Sequence, residues 1–249
     1  MPSLFDSERF NTSLFFPCPN DHPCQSGNLD LWVEVSGARL QVRWRPSRPG
    51  FPTLLVFPGN GETPADYEHL ADAWAEFGIG LAVFGYRGYG QSTGTPSLRG
   101  TLEDGRAATE ALIRAGGSPV VLLGRSLGSA CLAHIHAMPT PGVVGSIWES
   151  GFTDLRGLIR RRGIEPPETL DEADRAAFDP LPKLGSSNLP FLALHGAEDE
   201  VIPPEESRMA YRAAGSCHKR FFLVPGRGHN DLVQDRTYFE IIRGFLSEL

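Results

Sequence analysis

Basic residues are in the minority in this chain of 249 residues, in which 23 Lys and Arg face 30 Asp and Glu for a formal net charge of −7. Proteins that hold nucleic acids neutralise phosphates with Lys and Arg, and an anionic membrane surface attracts the same side chains. The charge balance therefore argues against nucleic acid, and against an anionic membrane surface, as a partner.

Long apolar runs are also missing. The N-terminal stretch "MPSLFDSERFNTSLFFPCPNDHPC" has no basic start and only a short apolar run, Leu14 to Phe16, so it does not resemble a signal peptide. No later stretch is long enough to span a bilayer. These absences predict a soluble, cytoplasmic protein with no membrane span.

Cysteine is scarce as well, because the 4 cysteines of this chain are too few for a disulfide framework. Cys18 and Cys24 bracket His22 in "CPNDHPC", which could be a small disulfide loop or half a metal site. No second Cys or His pair with ligand spacing completes such a site. Free thiols are favoured, and the sequence predicts neither a metal nor a cofactor.

Regular alternation of strands and helices dominates residues 29–249. The stretch "DLWVEVSGARLQVRWRP" predicts an antiparallel hairpin that turns at Ser36 and Gly37. Apolar runs such as "TLLVFPG", "PVVLLG" and "LPFLALHG" then alternate with helical patterns of 10 to 15 residues. Such alternation indicates βαβ units, and therefore one domain built on a mostly parallel sheet with helices on both faces.

Two segments stand outside this rhythm. Residues 1–28 are expected to form an N-terminal arm packed on the edge of the domain. Residues 153–188 are rich in charge and proline and predict two short helices outside the sheet, whose 7 acidic and 6 basic side chains pair with each other on a solvated surface.

Ser126 lies in "GRSLG", a match to G-x-S-x-G that directly follows the apolar strand "VVLLG" and opens a helical pattern. A serine there occupies a sharp strand-to-helix turn, with its hydroxyl exposed at the carboxyl edge of the sheet. Gly124 and Gly128 lack Cβ atoms and allow strand and helix to approach closely. The context favours a nucleophile over an ordinary turn serine.

A nucleophilic serine needs a base and a group that orients the base. His229 follows the last predicted strand in "VPGRGHNDL", and Asp199 follows the preceding strand in "ALHGAEDEVIPP". Other acids compete with Asp199 for the orienting role. They are Glu149, Glu198, Glu200 and Asp231.

Taken together, these motifs resemble the α/β-hydrolase superfamily over roughly residues 29–249. "GRSLGS", "HGAEDEVIP" and "GRGHNDL" are similar to its nucleophile elbow, acid turn and histidine loop, and their chain order Ser, Asp, His is that of the superfamily. The resemblance selects Asp199 as the acid and implies an α/β-hydrolase fold with residues 153–188 as a small helical lid. "PGNGE" together with "YRGYGQSTG" is most similar to small-lid esterases and acyl-thioesterases.

The resemblance also implies an oxyanion hole made of two backbone N–H groups. The first belongs to Leu127, which follows the nucleophile, and the second to Asn60 in "PGNGE". Pro58 stands where the family usually has a histidine. Two neighbouring side chains keep two interpretations each: Arg125 could hold the elbow or line the pocket, and Glu62 could cap a helix or lie at the pocket rim.

The sequence thus predicts a serine hydrolase in which Ser126, His229 and Asp199 cleave a small-molecule ester or thioester through an acyl-enzyme. A peptidase or amidase of the same fold, and a non-catalytic ligand-binding member, are the alternatives. Oligomeric state, acyl length and leaving group stay open.

Overall fold

The computed structural model describes residues 3–249 and contains an eight-stranded sheet. Residues 1 and 2 of the predicted arm lie outside the described residues. The strands, in chain order, are β1 (Leu29–Val35), β2 (Ala38–Arg45), β3 (Thr53–Phe57), β4 (Gly80–Phe84), β5 (Val120–Arg125), β6 (Val143–Glu149), β7 (Phe191–Gly196) and β8 (Lys219–Val224). Their order in the sheet is β1-β2-β4-β3-β5-β6-β7-β8.

Nine α-helices connect and cover the strands in the described part of the chain. They are α1 (Glu8–Leu14), α2 (Glu68–Glu76), α3 (Leu98–Leu112), α4 (Ser129–Ala137), α5 (Leu155–Arg161), α6 (Glu172–Phe178), α7 (Pro180–Gly185), α8 (Pro204–Ala213) and α9 (Arg236–Leu246). Strand β2 pairs antiparallel with both β1 and β4, whereas β3 to β8 pair in parallel. The predicted hairpin and parallel sheet are confirmed, and the protein has the α/β-hydrolase fold.

The sheet is buried on both faces because its central strands are apolar throughout. In β5, Val121 and Leu123 pack with Trp74 of α2 and Ile242 of α9 in one core cluster. The alternate residue Leu122 belongs to a second cluster, with side chains of α3, α4 and α8. A strand with apolar side chains on both faces packs well only between two helical layers.

Strand β3 lies between β4 and β5 in the sheet. The chain therefore moves to one side of β3 to form β4, and then crosses to the other side to form β5. Loops that leave neighbouring parallel strands in opposite directions open a crevice at their carboxyl ends. The turn after β3 carries Asn60, and the turn after β5 carries Ser126. The fold therefore brings these two sequence-distant turns together.

The segment between β6 and β7 contains three short helices, α5, α6 and α7, where the sequence predicts two. The additional helix begins at Pro180, which Asp179 caps by accepting a hydrogen bond from the backbone N–H of Leu181. The expected pairing of charges is also wrong: within residues 3–249, no ion pair joins the arginines of α5 to the acids of α6. Instead, Arg161 pairs with Glu206 of α8 at 2.8 Å.

The N-terminal segment packs closely against the rest of the protein. Phe5 and Phe10 are fully buried, and the Phe5 ring lies 4.7 Å from the ring of Phe178 in α6. The side chain of Asn11 accepts a hydrogen bond of 2.8 Å from the backbone N–H of Leu98, at the start of α3. The N-terminal segment thus connects the helical segment after β6 to the main body.

Candidate active site

Ser126 lies at the strained turn that the sequence predicts. Its φ is +50°, in the left-handed region that residues with a Cβ rarely adopt. The turn is tight because β3 and β5 are neighbours: a Cβ on Gly128 would come within 1.9 Å of the Phe57 carbonyl oxygen. Glycine at 128 allows this approach, and the close packing maintains the strain at Ser126.

The side chain of His229 lies between Ser126 and Asp199. Its Nε2 is 3.0 Å from the Ser126 hydroxyl, and its Nδ1 is 2.7 Å from a carboxylate oxygen of Asp199. Because the carboxylate can only accept, Nδ1 carries the proton and Nε2 is free to take one from the serine. This is the geometry in which a histidine acts as a general base.

Asp199 is held in place by hydrogen bonds from the backbone and from His195, in addition to the one from His229. One carboxylate oxygen accepts hydrogen bonds of 2.9 Å from the backbone N–H groups of Val201 and Ile202. Burial by itself would raise the pKa of Asp199, but the hydrogen bonds from His195, His229 and the backbone lower it well below its ordinary value. The carboxylate is therefore ionised at neutral pH and its two oxygens are held in position.

His195 is a contributor that the sequence analysis missed. It is fully buried at the end of β7, and its Nε2 lies 2.9 Å from Asp199 and 2.9 Å from the carbonyl of Ile202. Its Nδ1 lies 2.5 Å from the Ser207 hydroxyl, which can donate to it. His195 thus donates a second histidine hydrogen bond to Asp199, a role that the "HGAED" stretch alone does not disclose.

The four competing acids occupy other positions. Glu198 and Glu200 are exposed, and Asp231 accepts a hydrogen bond of 2.7 Å from the backbone N–H of Gly228. Glu149 is buried and accepts one of 2.8 Å from the Tyr238 hydroxyl. Among these candidates, Asp199 is the acid in hydrogen-bonding contact with the ring of His229.

Asn60 is held by contacts through its side chain. Its carbonyl oxygen accepts hydrogen bonds of 2.7 Å from the Tyr89 hydroxyl and 3.2 Å from the backbone N–H of Phe16, and its amide donates to the carbonyl of Leu14. Its backbone N–H donates to no acceptor within residues 3–249. The backbone N–H of Leu127, in the first turn after Ser126, likewise has no acceptor in that range.

The loop after β4 braces this arrangement. The Tyr86 hydroxyl donates a hydrogen bond of 2.6 Å to the carbonyl of Pro58, and Arg87 forms a bidentate pair with the buried Asp104 at 2.6 and 2.9 Å. Tyr86 and Tyr89 stack edge to face, with ring centroids 5.5 Å apart. Through Tyr86 and Tyr89, this loop holds the turn that carries Pro58 and Asn60.

Arg125 and Glu62, whose roles the sequence leaves open, form an ion pair of 2.5 Å. The side chain of Arg125 is mostly buried, and both side chains line a cavity that His229 also lines. Glu62 also accepts a hydrogen bond of 2.6 Å from the Tyr67 hydroxyl.

Within residues 3–249, the helices fall short of the length and hydrophobicity that a membrane span requires.

The four cysteines are present as thiols, of which Cys131 is buried.

Comparison with known proteins agrees with this fold. The family model described as "Serine aminopeptidase, S33" matches residues 51–164 and 166–236. An uncharacterized protein of Mycobacterium tuberculosis, Rv2307c, is 31% identical over 94% of this chain and 86% of its own length. An "Uncharacterized membrane protein" of Saccharomyces cerevisiae, YNL320W, is 32% identical over 79% of this chain and 71% of its own length.

Among solved structures, the esterase Pf2001 of Pyrococcus furiosus superposes with a TM-score of 0.73 at 16% identity. The match covers 93% of this chain and 98% of that one. At this level of identity the likeness concerns the fold.

Proposed function

Because the chain belongs to the "Serine aminopeptidase, S33" family of α/β-fold hydrolases, we propose that it is a serine hydrolase that cleaves carboxylic esters or thioesters through an acyl-enzyme. One observation carries the proposal: a single imidazole, that of His229, is in hydrogen-bonding contact with both Ser126 and Asp199. A histidine between a serine and a buried carboxylate is the arrangement needed to activate the hydroxyl.

In the proposed mechanism, His229 Nε2 removes the proton of the Ser126 hydroxyl as the oxygen attacks the acyl carbonyl. The backbone N–H groups of Asn60 and Leu127 stabilise the oxyanion of the tetrahedral intermediate. The imidazolium of His229, stabilised by Asp199, then protonates the leaving alcohol or thiol. A water molecule deprotonated by His229 then attacks the acyl carbonyl, and the imidazolium returns the proton to the Ser126 oxygen as the bond to the acyl group breaks, which releases the acid and regenerates the serine.

Fluorophosphonate labelling tests the nucleophile directly. Ser126→Ala is expected to remove both labelling and ester turnover while leaving the folded state intact. Ser186→Ala, at an exposed serine just after α7, is the matched control and is expected to label as the wild type does. Labelling of Ser126→Ala at the wild-type rate would contradict the proposal, and an unlabelled wild type would favour a non-catalytic ligand-binding protein.

Peptide or amide cleavage is the second candidate, and membership of a family named for serine aminopeptidases favours it. Amides have a poorer leaving group than esters, so their cleavage depends more strongly on proton donation by His229. Parallel assays with p-nitrophenyl esters, acyl thioesters and aminoacyl p-nitroanilides distinguish these substrates. A higher kcat/KM for the anilides than for every ester would assign the protein to the peptidases.

We further propose that residues 153–188 are a small lid over the acyl pocket and that the protein works in the cytoplasm on soluble substrates. Helices α5 to α7 follow β6, whose carboxyl end lies on the edge of the sheet that carries Ser126. A short, charged lid implies an open pocket, a preference for short to medium acyl chains and no activation at a lipid surface. A maximum of kcat/KM at long chains, together with a rate jump in emulsion, would contradict this.

A further inference from the structure

Arg125 occupies the position immediately before Ser126, yet its side chain contacts three other parts of the site. Its Nη1 lies 2.5 Å from Glu62, and its Nη2 donates hydrogen bonds of 3.1 Å to the carbonyl of His229 and 2.8 Å to the side chain of Asn230. A guanidinium is planar and carries five donors in a fixed fork, so it can hold several acceptors in one geometry.

Glu62 extends these contacts to the oxyanion turn. One of its oxygens pairs with Arg125, and the other accepts a hydrogen bond of 2.6 Å from the backbone N–H of Gly59. Gly59 directly precedes Asn60, whose N–H is the proposed oxyanion donor. A Cβ on Gly59 would lie 2.2 Å from Arg125 Nη1, so the turn and the guanidinium are in direct contact.

The guanidinium is itself anchored on its remaining side. Its Nε lies 3.4 Å from Glu149, a carboxylate that is buried at the end of β6 and bonded to Tyr238 of α9. Burial alone would lower the pKa of Arg125, but the neighbouring carboxylates of Glu62 and Glu149 raise it, so the charge persists. Because both carboxylates face one cation, Arg125 has little freedom to turn away.

We propose that Arg125 is a positioning residue that, through Glu62, couples the turn carrying Asn60 to the loop carrying His229. The oxyanion donor and the general base lie on different loops, after β3 and after β8, and the Glu62–Arg125–His229 carbonyl chain is a direct polar connection between them. The coupling rests on the proposed function and goes beyond it. It aligns the base and the oxyanion donor with each other, and Arg125 itself does not touch the reacting atoms.

A merely structural role for Arg125 would lower the stability of the protein without changing the rate per folded molecule. Two conservative variants separate the roles. Arg125→Lys keeps the positive charge and loses the fork, and Glu62→Gln keeps an acceptor for Gly59 and loses the ion pair. Arg43→Lys is the matched control, since Arg43 is also buried and bridges Asp30 and Glu68 at 2.9 and 3.0 Å on the hairpin side of the sheet.

We expect Arg125→Lys and Glu62→Gln each to lower kcat by about 10², the loss associated with small misplacements of reacting groups, with KM changed by less than about twofold. The double variant is expected to lose no more than the worse single variant, because both changes break one connection. Arg43→Lys is expected to lower Tm with kcat unchanged. Multiplicative losses in the double variant, or an unchanged kcat in both single variants, would overturn the coupling.

Amide hydrogen exchange tests the coupling without any substrate. Each variant is expected to speed exchange in a loop other than its own: Arg125→Lys, on the elbow, at Gly59, and Glu62→Gln, on the turn after β3, at Gly228, whereas Arg43→Lys changes neither. If the wild type fails to react with fluorophosphonates and esters but this crossed pattern appears, the proposed function fails and the coupling stands. An active wild type with exchange unchanged in both variants would leave the function and remove the coupling.

Discussion

Gly128 of the elbow and Phe57 at the end of β3 are in such close contact that a Cβ on Gly128 would overlap the Phe57 carbonyl oxygen at 1.9 Å. This contact fixes how near the elbow comes to the turn that carries Asn60. A methyl group at position 128 would push the two turns apart, so glycine there determines the distance between the nucleophile and the proposed oxyanion donor.

Replacing Gly128 by alanine is expected to lower the free energy of unfolding by about 1–3 kcal/mol or more, because backbone has to move to admit the methyl group. The kcat of Gly128→Ala should also fall, because the turn that carries Asn60 moves. Gly244→Ala is the control: Gly244 lies in α9, and a Cβ there meets nothing within 4 Å. That variant should gain up to about 1 kcal/mol from helix propensity. Equal stabilities in urea denaturation would contradict the prediction.

Asp199→Asn is expected to lower kcat by about 10⁴, because an amide favours the wrong imidazole tautomer of His229. The matched control is Glu198→Gln, which makes the same chemical change at the exposed neighbouring position and should leave kcat near that of the wild type. Steady-state kinetics on the best ester substrate measure both. A silent Asp199→Asn would mean that another acid orients His229.

Tyr89→Phe removes the hydroxyl that joins the side chain of Asn60 to the backbone of Phe16, through hydrogen bonds of 2.7 Å to each. We expect kcat to fall about fivefold to tenfold, since each lost hydrogen bond contributes about 1 kcal/mol to holding Asn60. Tyr211→Phe on α8 controls for the loss of a phenol elsewhere. If the two variants keep the same kcat, the N-terminal segment does not support the oxyanion turn.

Acid should destabilise the protein partly through His136, because burial lowers its pKa to about 4. The ring is almost fully buried, and its Nε2 lies 2.8 Å from the Ser146 hydroxyl. The folded state then binds fewer protons than the unfolded state below the ordinary pKa of about 6.5. The contribution of the neutral ring is complete above that pH and is lost as the pH falls toward about 4.

The measurement is the free energy of unfolding between pH 7 and pH 4. Over this range the wild type should lose about 3 kcal/mol more than His136→Gln, whose amide keeps a hydrogen bond to Ser146 without titrating. Parallel pH profiles of the two proteins would show that His136 does not titrate in the unfolding transition.

The order of strands and helices could be predicted from the sequence because it depends on local patterns. Apolar runs such as "VVLLG" specify buried strands, glycine and proline mark the turns, and parallel strands carry their carboxyl ends to one edge. Ser126, Asp199 and His229 each follow such a strand, so their common location at that edge is implied by position along the chain. Asn60 and Leu127 were predicted from the resemblance to the superfamily, and their backbone N–H groups have no acceptor among residues 3–249.

Contacts between side chains distant in sequence were decided only by the tertiary structure. The sequence does not indicate that Glu62 reaches Arg125 or that Phe16 meets Asn60, because these pairings depend on how separate segments of the chain pack. It also does not indicate that His195 bonds to Asp199, because that contact depends on how the turn after β7 folds back on the strand. The extra helix in residues 153–188 and the failure of its acids to pair with the arginines of α5 have the same origin. Surface charges pair with whatever side chain packing brings near, and for Arg161 that partner is Glu206 of α8. The sequence thus determined which residues reach the active edge, and packing in three dimensions determined which atoms meet there, because hydrogen bonds require distances near 3 Å that no local pattern encodes.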